Sequence, residues 1–214
     1  MFSAAILAGG RATRFDGRDK SALVVGGRTI FERQIEVLSK VAGDLMIVGG
    51  PARPDLPAGI RQVPDSVPGC GPLGGLHAAL LAARGAATVV LACDMPYVTA
   101  PLLNFLLTVS DGLLTVKGVP VADGSRHTQE ADIVVPKTER GYHPLCAVYT
   151  PACLEPAARR LADGRLKLTG LFEDVRVRVV TGESLTMFGD PDRLLANVNT
   201  SIEYKAIEAN GMQS

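Results

Sequence analysis

Short apolar runs in the first half of the chain restrict the folds that it can adopt. The run Ala4-Ala5-Ile6-Leu7-Ala8 contains no polar residue and ends at two glycines. Uninterrupted runs of this length are typical of strands that are buried on both faces, as in a parallel sheet. The residues at 45–48 and 88–92 form similar runs, and a less apolar strand is predicted at 60–63.

Segments of helical periodicity separate these strands. After Thr29, the stretch 30–41 places Ile30, Gln34 and Leu38 on one face. Further helices are predicted at 76–83, 101–109, 152–162 and from about 191 and 201. This βαβ order predicts an α/β fold: one Rossmann-like domain with a mostly parallel central sheet flanked by helices. Ligands are then expected at loops that follow the carboxyl ends of the strands.

The second half is less regular. A hairpin is predicted at 113–122 and strands at 133–135 and 145–149. The segment 175–180 alternates between Val and Arg at first, which is typical of an edge strand. We find no repeat, low-complexity tract or clear linker, and therefore predict one domain over 1–214.

Composition excludes several classes of function. Lys plus Arg and Asp plus Glu both total 22, so no net charge attracts the chain to nucleic acid or to an anionic membrane. The apolar runs are far shorter than the roughly 20 residues of a membrane span. The four cysteines have no metal-ligand spacing, and no charged segment precedes the first strand. We expect free thiols in a cytoplasmic protein, with Cys93 and Cys146 buried.

The strongest motif is the segment 7–20, which starts at the end of the first strand. Gly9-Gly10 allows a sharp turn that brings backbone N–H groups close to a ligand. Four cations follow within ten residues, at Arg11, Arg14, Arg18 and Lys20. A triphosphate requires this combination of backbone donors and cations. The alternative is a glycine turn followed by a solvated basic loop.

This segment, LAGGxxxRxxxxDK, resembles the signature of nucleotidyltransferases that activate sugars, isoprenoid precursors and molybdopterin. The resemblance implies that the loop wraps a triphosphate and that Arg14 and Lys20 act in catalysis by neutralising charge on the α-phosphate. It assigns nucleotide binding to Leu7, Ala8, Gly9, Gly10 and Lys20. Phe15 stands where the family usually has Met. Neither GxxxxGK[ST] nor GxGxxG is present.

A second motif spans 65–76 and is rich in small residues. Asp65 accepts hydrogen bonds, and guanine presents two adjacent donors that suit a carboxylate. The glycines permit close backbone approach to a flat ring, although a loop leading into a helix has the same composition. D…GPLGG resembles the guanylyltransferase branch, which implies nucleotide contacts from Asp65 and Gly74.

The third motif is Cys93-Asp94-Met95-Pro96, at the end of a buried strand. A carboxylate there is placed to bind a hard cation, although an Asp after a strand also commonly caps a helix. CDMP resembles the metal-binding element of the same family. The resemblance implies that Asp94 binds Mg²⁺, contacts the nucleotide and acts in catalysis.

Two further stretches point to a second substrate. Asn197-Val198-Asn199-Thr200 resembles the FxNxNTPEDL element of the molybdenum cofactor enzymes, with Ser201 in place of Pro. His143-Pro144-Leu145 resembles their QPL/HPL stretch. The resemblance implies acceptor binding by His143, Asn197 and Asn199. The alternatives are a helix cap at Asn199 and a packing role for His143. No histidine forms a recognisable catalytic triad with Ser or Cys.

The motifs together resemble the molybdenum cofactor guanylyltransferase family. This resemblance implies GMP transfer from GTP to molybdenum-bound molybdopterin, with Mg²⁺ as cofactor and contacts to other proteins of molybdenum cofactor synthesis. Residues 1–109 are then the nucleotide-binding half and 110–209 the acceptor-binding half. The alternatives are a sister enzyme that uses CTP or another phosphorylated acceptor, and a non-catalytic nucleotide-binding regulator. A dinucleotide-dependent oxidoreductase fits less well without GxGxxG.

Overall fold

The computed structural model describes residues 1–8, 14–15, 18–110 and 131–198, with the backbone alone for 14, 15 and 18–20. Its strands are β1 (Ser3–Leu7), β2 (Arg14–Phe15), β3 (Arg18–Asp19), β4 (Val24–Val25), β5 (Arg28–Thr29), β6 (Asp44–Val48), β7 (Ile60–Val63), β8 (Thr88–Ala92), β9 (Ile133–Thr138), β10 (Gly141–Tyr142), β11 (Cys146–Tyr149) and β12 (Val177–Thr181). Its α-helices are α1 (Ile30–Ser39), α2 (Gly71–Ala82), α3 (Ala100–Ser110), α4 (Leu154–Ala162), α5 (Gly182–Thr186) and α6 (Pro191–Leu194). Short 3₁₀ turns span Lys20–Ala22, Pro151–Cys153 and Leu168–Glu173.

One eight-stranded sheet organises the described residues, in the order β10-β9-β11-β8-β1-β6-β7 with β12 also paired to β9. The pairs β8-β1, β1-β6, β6-β7 and β12-β9 are parallel, whereas β11 and β10 run antiparallel to their neighbours. The predicted mostly parallel sheet flanked by helices is confirmed. The carboxyl ends of β1, β6 and β8 meet at one edge of this sheet, called the carboxyl edge below.

Side chains of β1 alternate between two apolar clusters. Ala4 and Ile6 pack with residues of α1 and α3, whereas Ala5 and Leu7 pack with residues of α2 and α4. Helices therefore cover both faces of the sheet, which is why β1 and β8 are apolar without alternation. Cys93 and Cys146 lie in the first cluster as predicted.

Helix α1 begins at a capping box. The Thr29 hydroxyl accepts a hydrogen bond from the backbone N–H of Glu32 at 3.1 Å, and the Glu32 carboxylate accepts from the Thr29 N–H at 2.8 Å. The buried residues are Ile30, Gln34 and Leu38, the face that the periodicity predicts. Helix α1 follows the cationic motif 7–20 in sequence, and its buried face packs against the sheet.

The structure corrects the predicted start of α2. The sequence prediction was a loop up to Gly75 and a helix from 76, but the helix begins at Gly71 with Pro72 in its first turn. Proline is favoured in the first turn of a helix because its missing N–H would have no partner there. Gly74 and Gly75 are therefore buried helical residues rather than loop residues.

Two smaller outcomes complete the comparison with the sequence. The predicted edge strand at 175–180 is β12, which begins two residues later and pairs with β9 at the margin of the sheet. The hairpin predicted at 113–122 and the helix from about 201 lie outside the described residues. None of the helices in the described ranges is long and apolar enough to cross a membrane.

Candidate functional site

A pocket opens at the carboxyl edge of the sheet, beside the ends of β1, β6 and β8. Its walls come from strand ends, from the first turns of α2 and from the loop that precedes β11. The lining residues are Leu7, Val48, Asp65, Gly71, Pro72, Gly75, Ala92, Cys93, Asp94 and Leu145. Loops that follow β7 and β8 meet at this pocket, where Asp65 and Asp94 line mainly apolar walls.

Asp94 is held by contacts on both sides of its loop. The Cys93 N–H donates to the Leu7 carbonyl at 3.3 Å, which ties the loop to the end of β1. The Asp94 carbonyl accepts from the Val198 N–H at 2.9 Å. The Oδ1 atom of Asp94 is buried. These contacts fix the backbone that carries the carboxylate.

Asp65 follows β7 and is half-buried in the same pocket. Burial raises the pKa of the Asp65 carboxyl above its ordinary value. Hydrogen-bond donors on a ligand would favour the charged form of this carboxylate and offset that cost. The environment of Asp65 therefore suits a ligand that presents N–H groups to the carboxylate.

Glycine at position 75 permits helix α2 to approach the strand end closely. A Cβ added to Gly75 would lie 3.3 Å from Cδ1 of Leu7 and 3.8 Å from Oδ1 of Asp65. A larger side chain there would intrude between the two. The close approach brings the first turns of α2 to the pocket wall.

Gly74 packs away from the pocket lining. A Cβ on Gly74 would lie 3.1 Å from both the Cys70 Cβ and the Val67 carbonyl oxygen. Gly74 thus lets α2 pack against the loop that carries Asp65, and its direct contact with nucleotide stays a prediction. The same loop is tied to α2 by Ser66, whose hydroxyl lies 2.9 Å from Nδ1 of His77.

The motif after β1 is only partly described. The Ala8 N–H donates to the Val48 carbonyl at 2.8 Å, so the chain leaves the sheet beside β6. Gly9 and Gly10 lie outside the described residues, as do the side chains of Arg14 and Lys20. The backbones of Arg14 and Asp19 pair in the β2–β3 hairpin, which leads directly into the turn at Lys20.

A cation from another loop contacts the end of this motif. Arg53 donates from Nη2 to the Ser21 hydroxyl at 2.7 Å and lies 4.4 Å over the Phe31 ring. Ser21 directly follows Lys20 and is buried. The contact fixes the chain immediately after the last cation of the motif.

His143 lies near the pocket, at the bend between β10 and β11. Its Nε2 atom is 2.9 Å from the Thr138 hydroxyl, and burial lowers its pKa more than nearby Asp192 raises it. Two residues later, Leu145 lines the pocket and accepts a hydrogen bond from the Ala92 N–H at 2.9 Å. His143 therefore lies on the β9 side of the carboxyl edge.

The C-terminal Asn stretch also reaches this edge. Asn197 is half-buried and precedes Val198, whose N–H binds the Asp94 carbonyl. Asn199 lies outside the described residues. Arg193 stacks 5.0 Å over the ring of Tyr97, which follows the Asp94 loop. The contact adds a positive charge to this side of the carboxyl edge.

The carboxylates of the pocket suit a magnesium ion that is also coordinated by the substrate. Among the described residues, no group of three or more His, Cys, Asp or Glu side chains forms a metal cluster. Mg²⁺ is commonly held by one or two carboxylates, with phosphate oxygens and water as its other ligands. Asp94 supplies such a carboxylate at the pocket, and Asp65 lines the same cavity.

The sequence analysis missed several pocket residues. Gly71 and Pro72 line the pocket, and Pro72 in a first helical turn was the signal that could have identified them. Leu145 also lines it and belongs to the 143–145 stretch, but the resemblance assigned acceptor binding to His143 and gave no role to Leu145. The pocket combines residues from separate segments of the chain, and for this reason sequence motifs alone described it incompletely.

Known families and proteins match this chain over most of its length. The model of the MobA-like NTP transferase domain matches residues 4–177. A probable molybdenum cofactor guanylyltransferase from Pelotomaculum thermopropionicum is 34% identical over 91% of this chain and 86% of its own length. A molybdenum cofactor guanylyltransferase from Desulfosudis oleivorans is 31% identical over 95% of this chain and 93% of its own.

The fold has a counterpart among solved structures. Molybdopterin-guanine dinucleotide biosynthesis protein A from Archaeoglobus fulgidus superposes with a TM-score of 0.76 at 23% identity, and the match covers 100% of both chains. At this identity the likeness supports the fold rather than individual side-chain roles.

Proposed function

The chain belongs to the MobA-like NTP transferase family, and on this premise we propose that it transfers GMP from GTP to a molybdopterin-type acceptor. The observation that carries the proposal is the pairing of Asp65 and Asp94 in one pocket at the carboxyl edge. One aspartate reads the base and the other holds the metal. The names of the two sequence relatives support guanine as the base.

Base recognition is assigned to Asp65 and the first turns of α2. The Asp65 carboxylate accepts hydrogen bonds from N1–H and from the amino group of guanine. These bonds favour the charged form of the carboxylate, which burial disfavours. Cytosine has no such pair of adjacent donors on its pairing edge. Gly75 lets α2 lie close to Leu7 and Asp65, and Gly74 lets it pack against the loop that carries Asp65.

The phosphates are assigned to the motif after β1. Leu7, Ala8, Gly9 and Gly10 are assigned to bind the phosphates, and Arg14 and Lys20 to supply cations for charge that develops at the α-phosphate. Preorganised cations at such a position stabilise the transition state more than the ground state. Asp94 would hold a Mg²⁺ ion, which would supply a Lewis acid that offsets the same charge.

The acceptor is assigned to the β9 side of the pocket. His143 and Asn197 provide polar groups for a phosphorylated pterin on this side, and Asn199 is assigned to the same acceptor by the sequence resemblance. The assignment agrees with the position of Leu145 in the pocket wall and with the Val198 contact to Asp94. Residues 1–109 then bind the nucleotide and residues 110–209 bind the acceptor, although strands from both halves share one sheet.

The reaction is an in-line displacement at the α-phosphorus. An oxygen of the terminal acceptor phosphate attacks this phosphorus, and the bond to the β-phosphate oxygen breaks. The products are a dinucleotide joined by a new phosphoanhydride bond and diphosphate. No covalent enzyme intermediate is required, so the protein contributes orientation and charge.

A panel of nucleotides tests the proposal. Purified protein is incubated with molybdenum-loaded molybdopterin, Mg²⁺ and each of four nucleoside triphosphates, and diphosphate release is measured. We expect release with GTP above all others and only in the presence of acceptor. Release that is greatest with CTP would move the chain to a cytidylyl-transferring branch, and binding of GTP without release would indicate a regulator.

A further inference from the structure

Gln34 is a buried polar residue on an otherwise apolar helix face. Its side chain is 2% exposed, and the residues one turn away on either side, Ile30 and Leu38, are fully buried hydrophobic residues. A buried amide in such a position needs partners, because desolvation of its polar groups is unfavourable. Its contacts therefore indicate why a polar residue is present at this position of α1.

The Gln34 amide group spans the base of the Asp94 loop. Its Nε2 donates to the Ala92 carbonyl at 2.7 Å and to the Met95 carbonyl at 3.2 Å. These two carbonyls flank Cys93 and Asp94. Carbonyl oxygens only accept hydrogen bonds, so the amide must present its nitrogen to them. Both N–H groups of one side chain thus fix the two ends of the turn that carries Asp94.

The amide oxygen has no comparable role in this arrangement. Oε1 of Gln34 is buried, and no described residue donates a hydrogen bond to it. Leaving a buried acceptor unsatisfied is unfavourable for folding. Folding stability alone therefore does not explain a glutamine at this position. Its nitrogen, in contrast, forms hydrogen bonds with both ends of the loop that carries Asp94.

From this arrangement we propose that Gln34 is a positioning residue, which sets the metal affinity of Asp94 by fixing the turn between Ala92 and Met95. The inference rests on the proposed function in one respect, because it assumes that Asp94 is the metal ligand. Gln34 is not among the residues that line the pocket. Because α1 follows the cationic motif 7–20, the same side chain connects the helix after that motif to the metal-binding loop.

Two substitutions separate positioning from packing. Gln34→Met keeps the length of the side chain and removes both donors, and Gln34→Glu keeps the shape but directs oxygens at two carbonyl oxygens. Leu38→Met is the matched control, because it changes a fully buried residue on the same helix face. Thermal unfolding is recorded for each variant, and GTP-dependent Mn²⁺ binding is measured from the loss of the free Mn²⁺ signal in electron paramagnetic resonance.

We expect both Gln34 variants to bind Mn²⁺ about 10- to 100-fold more weakly than wild type, the range typical of lost outer-shell support for a metal ligand. Leu38→Met should bind Mn²⁺ as wild type does. The Mg²⁺ concentration for half-maximal diphosphate release should rise in the Gln34 variants by the same factor. GTP affinity measured without metal should not change.

Several outcomes would overturn the positioning role. They are wild-type Mn²⁺ affinity in folded Gln34→Met, equal loss in Leu38→Met, or failure of both Gln34 variants to fold while Leu38→Met folds. Asp94→Asn is measured alongside to test the underlying assignment. If Asp94→Asn also binds Mn²⁺ as wild type does, the metal site itself is misassigned, and the proposed function fails independently of Gln34.

Discussion

The two ends of the central sheet use buried polar groups in opposite ways. At the amino end, called the amino edge, Asp44 accepts from the Ser3 hydroxyl at 2.7 Å, from Arg61 Nη2 at 2.7 Å and from the Arg84 N–H at 3.1 Å. Ser3 in turn accepts from the Gly85 N–H at 2.9 Å. At this end, the protein itself satisfies the buried charge.

The carboxyl edge is arranged for ligands. Asp65 and Asp94 line an open pocket with glycines and strand ends. Burial raises the pKa of Asp65, the reverse of the net effect at Asp44, where hydrogen bonds outweigh burial and lower the pKa. Parallel strands bring ligands to their carboxyl ends, so one architecture supports a stabilising cluster at one edge and a binding pocket at the other.

This difference predicts that substitutions at the two edges will have separable effects. A change at the amino edge should lower the free energy of unfolding and leave the chemistry of each folded molecule intact. A change at the carboxyl edge should lower turnover or alter specificity with little effect on melting.

Asp44→Ala should destabilise the protein by about 3–5 kcal/mol, because it breaks the ion pair with Arg61 and leaves the buried Ser3 hydroxyl without its acceptor. Urea unfolding measures this change. Asp55→Ala, at an exposed loop position, is the control and should have a small effect. Diphosphate release per folded Asp44→Ala molecule should match wild type. Wild-type stability in this variant would show that the cluster contributes little.

Lys20→Ala should lower turnover by about 10²–10³-fold, the typical loss when one preorganised charge donor is removed from a transition state. Its melting temperature should not change. The control is Lys40→Ala, an exposed lysine paired with Glu36 at the end of α1. Turnover and melting temperature that both match wild type in Lys20→Ala would contradict the assignment of the cationic motif to the phosphates.

Asp65→Asn should reduce the preference for GTP over CTP by about 1.5–3 kcal/mol, the usual contribution of hydrogen bonds to a charged group. The amide presents a donor where the carboxylate accepted, so guanine loses its partner. Competition binding with both nucleotides measures the preference, and CTP serves as the internal control. Equal weakening of GTP and CTP would exclude a base-reading role for Asp65.

Acid should lower the stability of the protein through a second aspartate at the amino edge, Asp132. Hydrogen bonds from Arg176 hold the pKa of Asp132 below its ordinary value of 3.8 despite burial. The resulting stabilisation is present above that value and is lost as pH falls through the lowered pKa of the folded state. The Arg176 side chain is 55% exposed, so we expect the smallest effect of the series.

The acid effect is measured by comparing Asp132→Asn with wild type in urea unfolding between about pH 6 and pH 2. Wild type should be the more stable protein at the upper end of this range. The difference should shrink as pH falls. A difference that is constant with pH would show that ionisation of Asp132 does not contribute to folding.

Much of the fold was predictable from local patterns. The uninterrupted apolar run of β1 predicted a strand covered on both faces, and Thr29 predicted the start of α1. The start of α2 was not predictable in the same way, because its glycines have low helix propensity. They are accommodated there because close packing leaves little space for a Cβ at Gly74 or Gly75.

The sequence predicted the aspartates of the pocket because each lies just after the end of a strand. Asp65 and Asp94 follow β7 and β8, and both line the pocket. The contact of Gln34 with the Asp94 loop joins residues 58 positions apart, so it depends on how α1 packs against the sheet. Local periodicity predicts that Gln34 faces inward but does not identify the carbonyls that it meets.

The fate of the α-phosphate tests most directly whether the carboxyl edge is a nucleotidyl-transfer site. Purified protein, Mg²⁺ and molybdenum-loaded molybdopterin are incubated with GTP labelled at the α-phosphate, and the labelled products are separated for wild type and Asp94→Asn. We predict label in a guanine dinucleotide, formed in equal amount with diphosphate, and almost none with Asp94→Asn or with EDTA. Label that stays in GTP or appears as free GMP, or transfer that is unchanged in Asp94→Asn, would contradict this assignment.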